Sequence, residues 1–148
     1  MKPQKLISIL ARLFFLLFLA GTLLADNPAI SENSELASYA QDLYRQKGID
    51  MTRSAFDLQE QESWGRIFII RVVSRNTTLS DDLLQAFLVG GAVAQHARVA
   101  IDQIVVIADV EFSNRKAMIL RADGACCEKL YNNRMPVDIF TQDCLRME

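Results

Sequence analysis

RIFIIRVVS at residues 66–74 is followed by LSDDLLQAFLVGGAVAQHARV at 79–99 and IVVIADVEF at 104–112, and these three segments decide the fold. The first and third are rich in β-branched residues, which is typical of strands that are buried on at least one face. The middle segment has the length and spacing of a helix, and it is apolar on almost every side. Such a helix has to be covered by other elements. Two apolar strands and an apolar helix bury one another only as layers around one core.

The neighbouring segments extend this layered arrangement. Apolar residues at helical spacing predict an N-terminal helix from Asn33 or Ser34 to Lys47, and Gly48 is its expected C-cap. A strand is expected at Arg53–Gln59, antiparallel to the one that begins at Arg66, and a returning strand at Lys116–Ala122 after a tight turn at Ser113–Asn114. The C-terminal segment is expected to form a short helix at Ala125–Tyr131 and a closing helix around Val137–Leu145. We therefore predict an α+β fold: a small antiparallel sheet of three to four strands packed against two helices, with a short helical C-terminal tail.

The chain begins like an exported protein. Three basic residues, Lys2, Lys5 and Arg12, precede an uncharged apolar run from Leu13 to Ala25. A basic start, a short apolar run and small residues near its end are the parts of a secretory signal peptide. We predict that residues 1–25 are this signal peptide.

An uncleaved N-terminal membrane anchor is the alternative for the same segment. Leu6–Ala25 is twenty residues long, which is just enough to span a bilayer. In both cases the rest of the protein lies outside the cytoplasm, periplasmic or secreted, and it is membrane-anchored if the signal is not cleaved. The predicted organisation is a signal or anchor at 1–25, a linker at 26–33 and a single α+β domain at 34–148.

The net charge and the length of the chain indicate how many domains it forms and which class of molecule it binds. Removing residues 1–25 leaves 123 residues and changes the formal net charge from −2 to −5, because three basic residues and no acidic ones are lost. This length suits one domain with one core. Proteins that bind nucleic acid cluster Lys and Arg, whereas the basic residues here are scattered over an acidic domain. We predict a protein partner, no nucleic acid, and membrane contact only through an uncleaved N-terminal segment.

All three cysteines lie near the C terminus: Cys126, Cys127 and Cys144. An oxidising compartment favours a disulfide between two of them. Adjacent cysteines rarely bridge each other, because their Cα atoms are only about 3.8 Å apart and a disulfide prefers about 5.5 Å. We therefore predict one disulfide that joins Cys144 to Cys127 or to Cys126. No C-x-x-C spacing supports zinc or redox chemistry.

Gly90 and Gly91 lie inside the predicted long helix, where each glycine costs about 1 kcal/mol relative to alanine. We interpret the pair as a place where the helix packs closely against a neighbour. A kink at the glycines is the second interpretation. A phosphate-binding loop is the weakest, because the glycines do not follow a strand.

The chemistry-bearing residues do not assemble into a known motif. His96 is the only histidine, and it lies near a helix C terminus, where a positive imidazole is favoured. The sequence indicates no catalytic set, no cofactor and no metal site. The prediction is a non-enzymatic binding or interaction module. The alternative is a small enzyme that uses a Cys126 or Cys127 thiolate with His96, which requires the thiol within hydrogen-bond reach of the imidazole.

Overall fold

Helix α1 (Pro28–Gln46) is the first element in the computed structural model, which describes residues 28–112, 114 and 117–148. After a 3-10 turn at Arg53–Ala55 come β1 (Phe56–Gln61), β2 (Gly65–Ser74), α2 (Leu79–His96), β3 (Gln103–Val110) and β4 (Met118–Asp123). The chain then forms α3 (Gly124–Tyr131), a short helix α4 (Val137–Ile139) that runs into a π-helical turn at Phe140–Cys144, and β5 (Arg146–Met147). Residues 32–148 form one compact unit, and the contacts reported below lie within it. The predicted signal peptide, residues 1–25, lies outside the described residues.

Over the described residues the protein is α+β, with four helices and a single mixed sheet of five strands in the order β1-β2-β3-β4-β5. The predicted sheet was antiparallel, and this is wrong for one pair: β2 and β3 are parallel, while the other three pairs are antiparallel. The reason is α2, which carries the chain back along the sheet between the two strands, as a parallel connection requires. The fifth strand is only two residues long and pairs with β4.

The core lies between one face of the sheet and the helices. Even-numbered residues of β2 and β3, including Phe68, Ile70, Ile104 and Val106, are almost inaccessible on this helix-covered face. They pack with the apolar side of α1, where Leu36 and other buried residues recur at the predicted helical spacing. Gly48 follows α1 with a φ of +76°, which is the left-handed conformation expected of a glycine C-cap.

The glycine pair of α2 serves close packing, as predicted. A Cβ on Gly90 would lie 2.5 Å from Cγ2 of Ile104 in β3, and a Cβ on Gly91 would overlap the backbone carbonyl of Cys127 in α3. Helix α2 runs unbroken through both positions. The two glycines therefore bring α2 close to the sheet on one side and to α3 on the other.

The opposite face of the sheet, which we call the outer face, carries a separate small apolar cluster. Ile67, Ile69 and Val105 are 1%, 6% and 3% exposed, and no helical residue of the described ranges belongs to this cluster. Trp64 packs against it, and the Arg121 guanidinium lies 5.0 Å from the centre of the Trp64 ring. Among the described residues, the contacts to this cluster therefore come from the sheet and from the turn before β2.

Helix α1 begins earlier than predicted. It starts at Pro28, so part of the predicted linker is helical. Proline suits the first turn of a helix, where its missing N–H is not needed. Contacts from distant parts of the chain then stabilise the next turn: Glu32 pairs with Arg66, and the Leu58 N–H donates a hydrogen bond to Oδ1 of Asn33. Those contacts are not visible in the local sequence.

Two other boundaries also differ from the predictions. Strand β1 begins at Phe56 because the three residues before it form the 3-10 turn. The closing helix is reduced to α4 and the π-helical turn. The tight turn expected at Ser113–Asn114 includes a residue outside the described ones, so its form is not reported.

Candidate functional site

A groove runs between α1, α2 and the end of α3 on the side of the molecule away from the sheet. It consists of two adjoining cavities of about 470 Å³ and 240 Å³ that share Ala92 and Tyr131 in their walls. Helix α1 contributes Tyr39 and Leu43, and Lys47, the residue just after the helix, follows at the same four-residue spacing. Helix α2 contributes one face of its last three turns. We call this feature the helix groove.

The larger cavity, the polar half of the groove, contains the only histidine. The His96 ring stacks on Tyr39 with their centres 4.2 Å apart, and its Nε2 lies 3.9 Å from Oε1 of Glu35. The Asn132 side-chain amide donates a hydrogen bond of 3.2 Å to Oε1 of Gln95. Aromatic rings and amides in this arrangement offer both stacking and hydrogen bonding to a bound group.

Tyr39 keeps its proton over a wider pH range than an exposed tyrosine. Burial raises the pKa of its phenol, and the nearby Tyr131 raises it further. Tyr131 itself is 40% exposed and stands between the two halves of the groove. The Tyr39 phenol therefore acts as a neutral hydrogen-bonding group on an apolar ring.

The smaller cavity, the apolar half of the groove, is walled by Leu43, Leu88 and Val89. Lys47, Gln85 and Asn133 supply the polar groups. The Gln85 side-chain nitrogen is buried and has no hydrogen-bond partner among the residues that the structure describes, which is unusual because buried donors are nearly always paired.

The structure contains one disulfide, in one of the two alternative pairings that the sequence predicts. Cys126 is bonded to Cys144, with an S–S distance of 2.12 Å, and Cys127 is the free thiol. Cys127 is fully buried, and its pKa is raised by burial first and by Asp123 and Glu128 second. The bond ties α3 to the end of the π-helical turn.

These positions separate the groups that the enzyme alternative requires. His96 lies in the helix groove, whereas neither cavity of that groove has a cysteine in its wall. Cys126 is oxidised, and a buried thiol with a raised pKa does not supply the thiolate that a nucleophile needs. The structure therefore does not assemble a cysteine–histidine pair.

Sequence reasoning missed the groove residues other than His96. Apolar and aromatic residues at helical spacing, such as Tyr39 and Leu43, indicate packing, and Lys47 marks the end of the predicted helix. One amide in a helix, such as Gln85, carries no motif. The available signal was the four-residue spacing of Tyr39, Leu43 and Lys47, which places an aromatic, an aliphatic and a basic side chain in one line.

Two further surfaces are weaker candidates for a binding site than the helix groove. A cleft of about 580 Å³ lies at the start of β2, beside Glu60, Glu62 and Asp102. The Asp102 carboxylate already accepts a hydrogen bond of 2.8 Å from the Arg66 N–H, so part of this cleft is structural. The apolar residues of the outer face are already in contact with Trp64, whose ring Arg121 covers, among the described residues.

Comparisons with known proteins do not indicate a function for this chain. No protein-family model matches the sequence, and no curated protein or solved structure is similar to it. Within residues 28–112, 114 and 117–148, no group of three or more His, Cys, Asp or Glu is placed to hold a metal ion. Over the same ranges, no helix has both the length and the apolar character needed to cross a bilayer.

Proposed function

We propose that this protein is an exported, non-enzymatic binding module, periplasmic or secreted, that binds a protein partner through the helix groove. The apolar run at Leu13–Ala25 after basic residues supports export. If that segment is not cleaved, the module is held at the membrane by it. The Cys126–Cys144 disulfide is compatible with an oxidising compartment.

The observation that carries the proposal is a groove with apolar walls and few polar groups, one of which, the Gln85 side-chain nitrogen, is buried without a partner among the described residues. A buried amide nitrogen without a partner costs free energy in the isolated protein, and a bound group that accepts its hydrogen bond removes that cost. Gln85 lies where the apolar walls, the exposed Tyr131 ring and the Lys47 ammonium surround one cavity. Concave apolar surface with a few polar groups is typical of binding sites.

The enzyme alternative has weaker support. It needs a reactive thiolate beside His96, and the free thiol is buried in the core. The groups around His96 are two tyrosines, two amides and Glu35, which hydrogen-bond and stack. These groups suit recognition of a partner.

The groove is tested with two matched substitutions in the full-length, tagged protein, expressed in its native host. Leu88→Arg places a charge in the groove, and Val73→Arg places the same charge on the outer face, where Val73 is 66% exposed. We expect a co-purifying protein with the wild type and with Val73→Arg, and its loss with Leu88→Arg. Equal urea midpoints show that both variants are folded. Retention of that partner by Leu88→Arg contradicts the groove as the binding surface.

Export is tested by the intact mass of the protein from the same cells. We expect a mature N terminus between Leu23 and Asn27 on protein recovered outside the cytoplasm. An intact Met1 on membrane-bound protein supports the anchor instead. Protein found only in the cytoplasm contradicts export in either form.

A further inference from the structure

We infer that the apolar half of the helix groove receives the C-terminal residue of the partner protein, an apolar side chain together with its free carboxylate. This inference rests on the proposed function, because it names the part of the protein partner that enters the groove. It follows from the size of the cavity, from the groups in its walls and from the state of the acidic residues around it.

Size points to a single residue. The apolar half measures about 240 Å³, which is below the roughly 300–1,000 Å³ typical of pockets for drug-sized ligands. Leu43, Leu88 and Val89 offer aliphatic walls to one side chain of similar kind. The polar half continues from this cavity past Tyr131 and gives the preceding residues of an extended chain a path along Gln95 and Asn132.

The polar groups of the apolar half favour an anion. Lys47 brings a positive charge to the cavity, and among the described residues it has no ion-pair partner within 4.0 Å. The Gln85 nitrogen is a buried hydrogen-bond donor that has nothing to donate to. The Lys47 ammonium can pair with a carboxylate in this cavity, and the Gln85 amide can donate to the same carboxylate once its side chain rotates, because its nitrogen has almost no exposed surface in the isolated protein. Hydrogen bonds that involve a charge are the stronger ones.

The acidic residues on the same stretches of α1 and α2 do not oppose a carboxylate with free charge. Asp42 accepts a hydrogen bond of 2.7 Å from Arg45. Asp82 accepts hydrogen bonds from Ser74 and Thr78. Neither aspartate belongs to the walls of the apolar half. Capture of a terminal carboxylate by donors in a groove is one of the recurring modes of peptide recognition.

The probes are two synthetic peptides that differ in one group: N-acetyl-Gly-Gly-Leu as the free acid and as the C-terminal amide. Each is titrated into the folded protein and followed in a two-dimensional amide NMR spectrum, in which the Gln85 side-chain NH₂ gives its own signals. We expect the free acid to shift those signals and the backbone signal of Leu88. The amide should bind roughly tenfold more weakly, because it lacks the charge-assisted hydrogen bonds.

Variants identify the groups responsible. Lys47→Ala should weaken binding of the free acid to the level of the amide, and Gln85→Glu should abolish it by like-charge repulsion. Arg71→Ala, which removes one positive charge from an exposed position of β2 on the outer face, should leave binding unchanged. Equal binding of the acid and the amide, or no shift of the Gln85 side-chain signals, overturns the inference. If a partner still co-purifies through the groove in that case, the proposed function stands and only the carboxylate is excluded.

Discussion

Glu32 and Arg66 form an ion pair that is nearly excluded from water. Arg66 Nη2 lies 2.7 Å from Oε2 of Glu32, and each side chain is only 10% exposed. Arg66 also donates a 2.8 Å hydrogen bond to the Val99 carbonyl, and the Arg98 N–H donates to Glu32. These contacts join the second turn of α1 to the start of β2 and to the segment after α2.

Removing one member of this pair should be strongly destabilising. We expect Arg66→Met to lower the free energy of unfolding by about 3–5 kcal/mol at neutral pH, because it leaves the Glu32 charge buried without a cation. Arg75→Ala is the matched control, since the Arg75–Glu111 pair is 74% and 40% exposed. Its cost should be at most about 1 kcal/mol. Urea unfolding at neutral pH measures both, and equal costs contradict the assignment.

The same pair predicts a pH dependence. Burial alone raises the pKa of Glu32, but the hydrogen bond and charge of Arg66, with backbone N–H groups of Arg98 and Val99, outweigh it and lower the pKa below 4.5. A depressed pKa in the folded state contributes stability above the unfolded pKa, and that stability is lost as pH falls through the folded pKa. The cost of Arg66→Met should therefore be largest at neutral pH and shrink as acidification protonates Glu32 in both proteins. A cost that is constant with pH contradicts the depressed pKa.

Cys127 should be inert until the protein unfolds. Its thiol is fully buried, and burial, with the charges of Asp123 and Glu128, raises its pKa. Alkylation of native, non-reduced protein should therefore modify no cysteine, and alkylation in denaturant should modify one thiol per chain. Mass spectrometry counts the added groups. Reaction of the native protein, or three free thiols in denaturant, contradicts the assignment of Cys127 as the single buried thiol.

At the scale of elements, α2 packs closely against β3 and α3 because Gly90 and Gly91 have no side chain at these two contacts. We expect Gly91→Ala to be more destabilising than Gly90→Ala. The new Cβ at Gly91 meets a backbone carbonyl of α3, whereas at Gly90 it meets a side chain of β3 that is able to shift. Overpacking of this kind costs about 1–3 kcal/mol. Ala125→Leu adds bulk at an exposed position of α3 and should be near neutral.

Urea midpoints order these three variants. A Gly91→Ala variant as stable as the wild type contradicts close packing of α2 on α3. Both glycines face a neighbour, so a Cβ at either position requires a shift of the surrounding atoms.

Element type was easier to predict than pairing. The composition of 66–74 and 104–110 predicted buried strands, and the spacing of apolar residues predicted α1 and α2. The parallel pairing of β2 with β3 was missed although a long helix lies between them in sequence. The start of α1 was missed for a different reason, since Glu32 and Asn33 are held by residues of β2 and β1. A local pattern does not contain such contacts.

At the scale of the whole molecule, the Cys126–Cys144 bond joins the last segment to α3. We expect Cys144→Ser to lower the free energy of unfolding by about 3 kcal/mol, because it releases a loop that restricts the unfolded chain. The separation of 18 residues sets that loop length. Circular dichroism should show the helices retained. A Cys144→Ser variant with wild-type stability contradicts a stabilising role of this disulfide.

The number of disulfides was predictable from the sequence, and the partner of Cys144 was not. Adjacent cysteines on a helix point in different directions, and only the packing of α3 decides that Cys127 is buried in the core while Cys126 meets Cys144. The helix groove was unpredictable for the same reason. Its walls come from three helices, and the unpartnered state of Gln85 exists only once these helices are packed.

Site-specific photo-cross-linking in the native host tests the binding groove most directly. A photo-reactive amino acid is placed at Leu88 in the groove or at Val73 on the outer face of the full-length chain, and the cross-linked proteins are identified by mass spectrometry. We predict that one partner protein is cross-linked from Leu88 and not from Val73, and that Lys47→Ala weakens this cross-link. The same proteins cross-linked equally from both positions, or a partner captured only from Val73, would contradict binding through the helix groove.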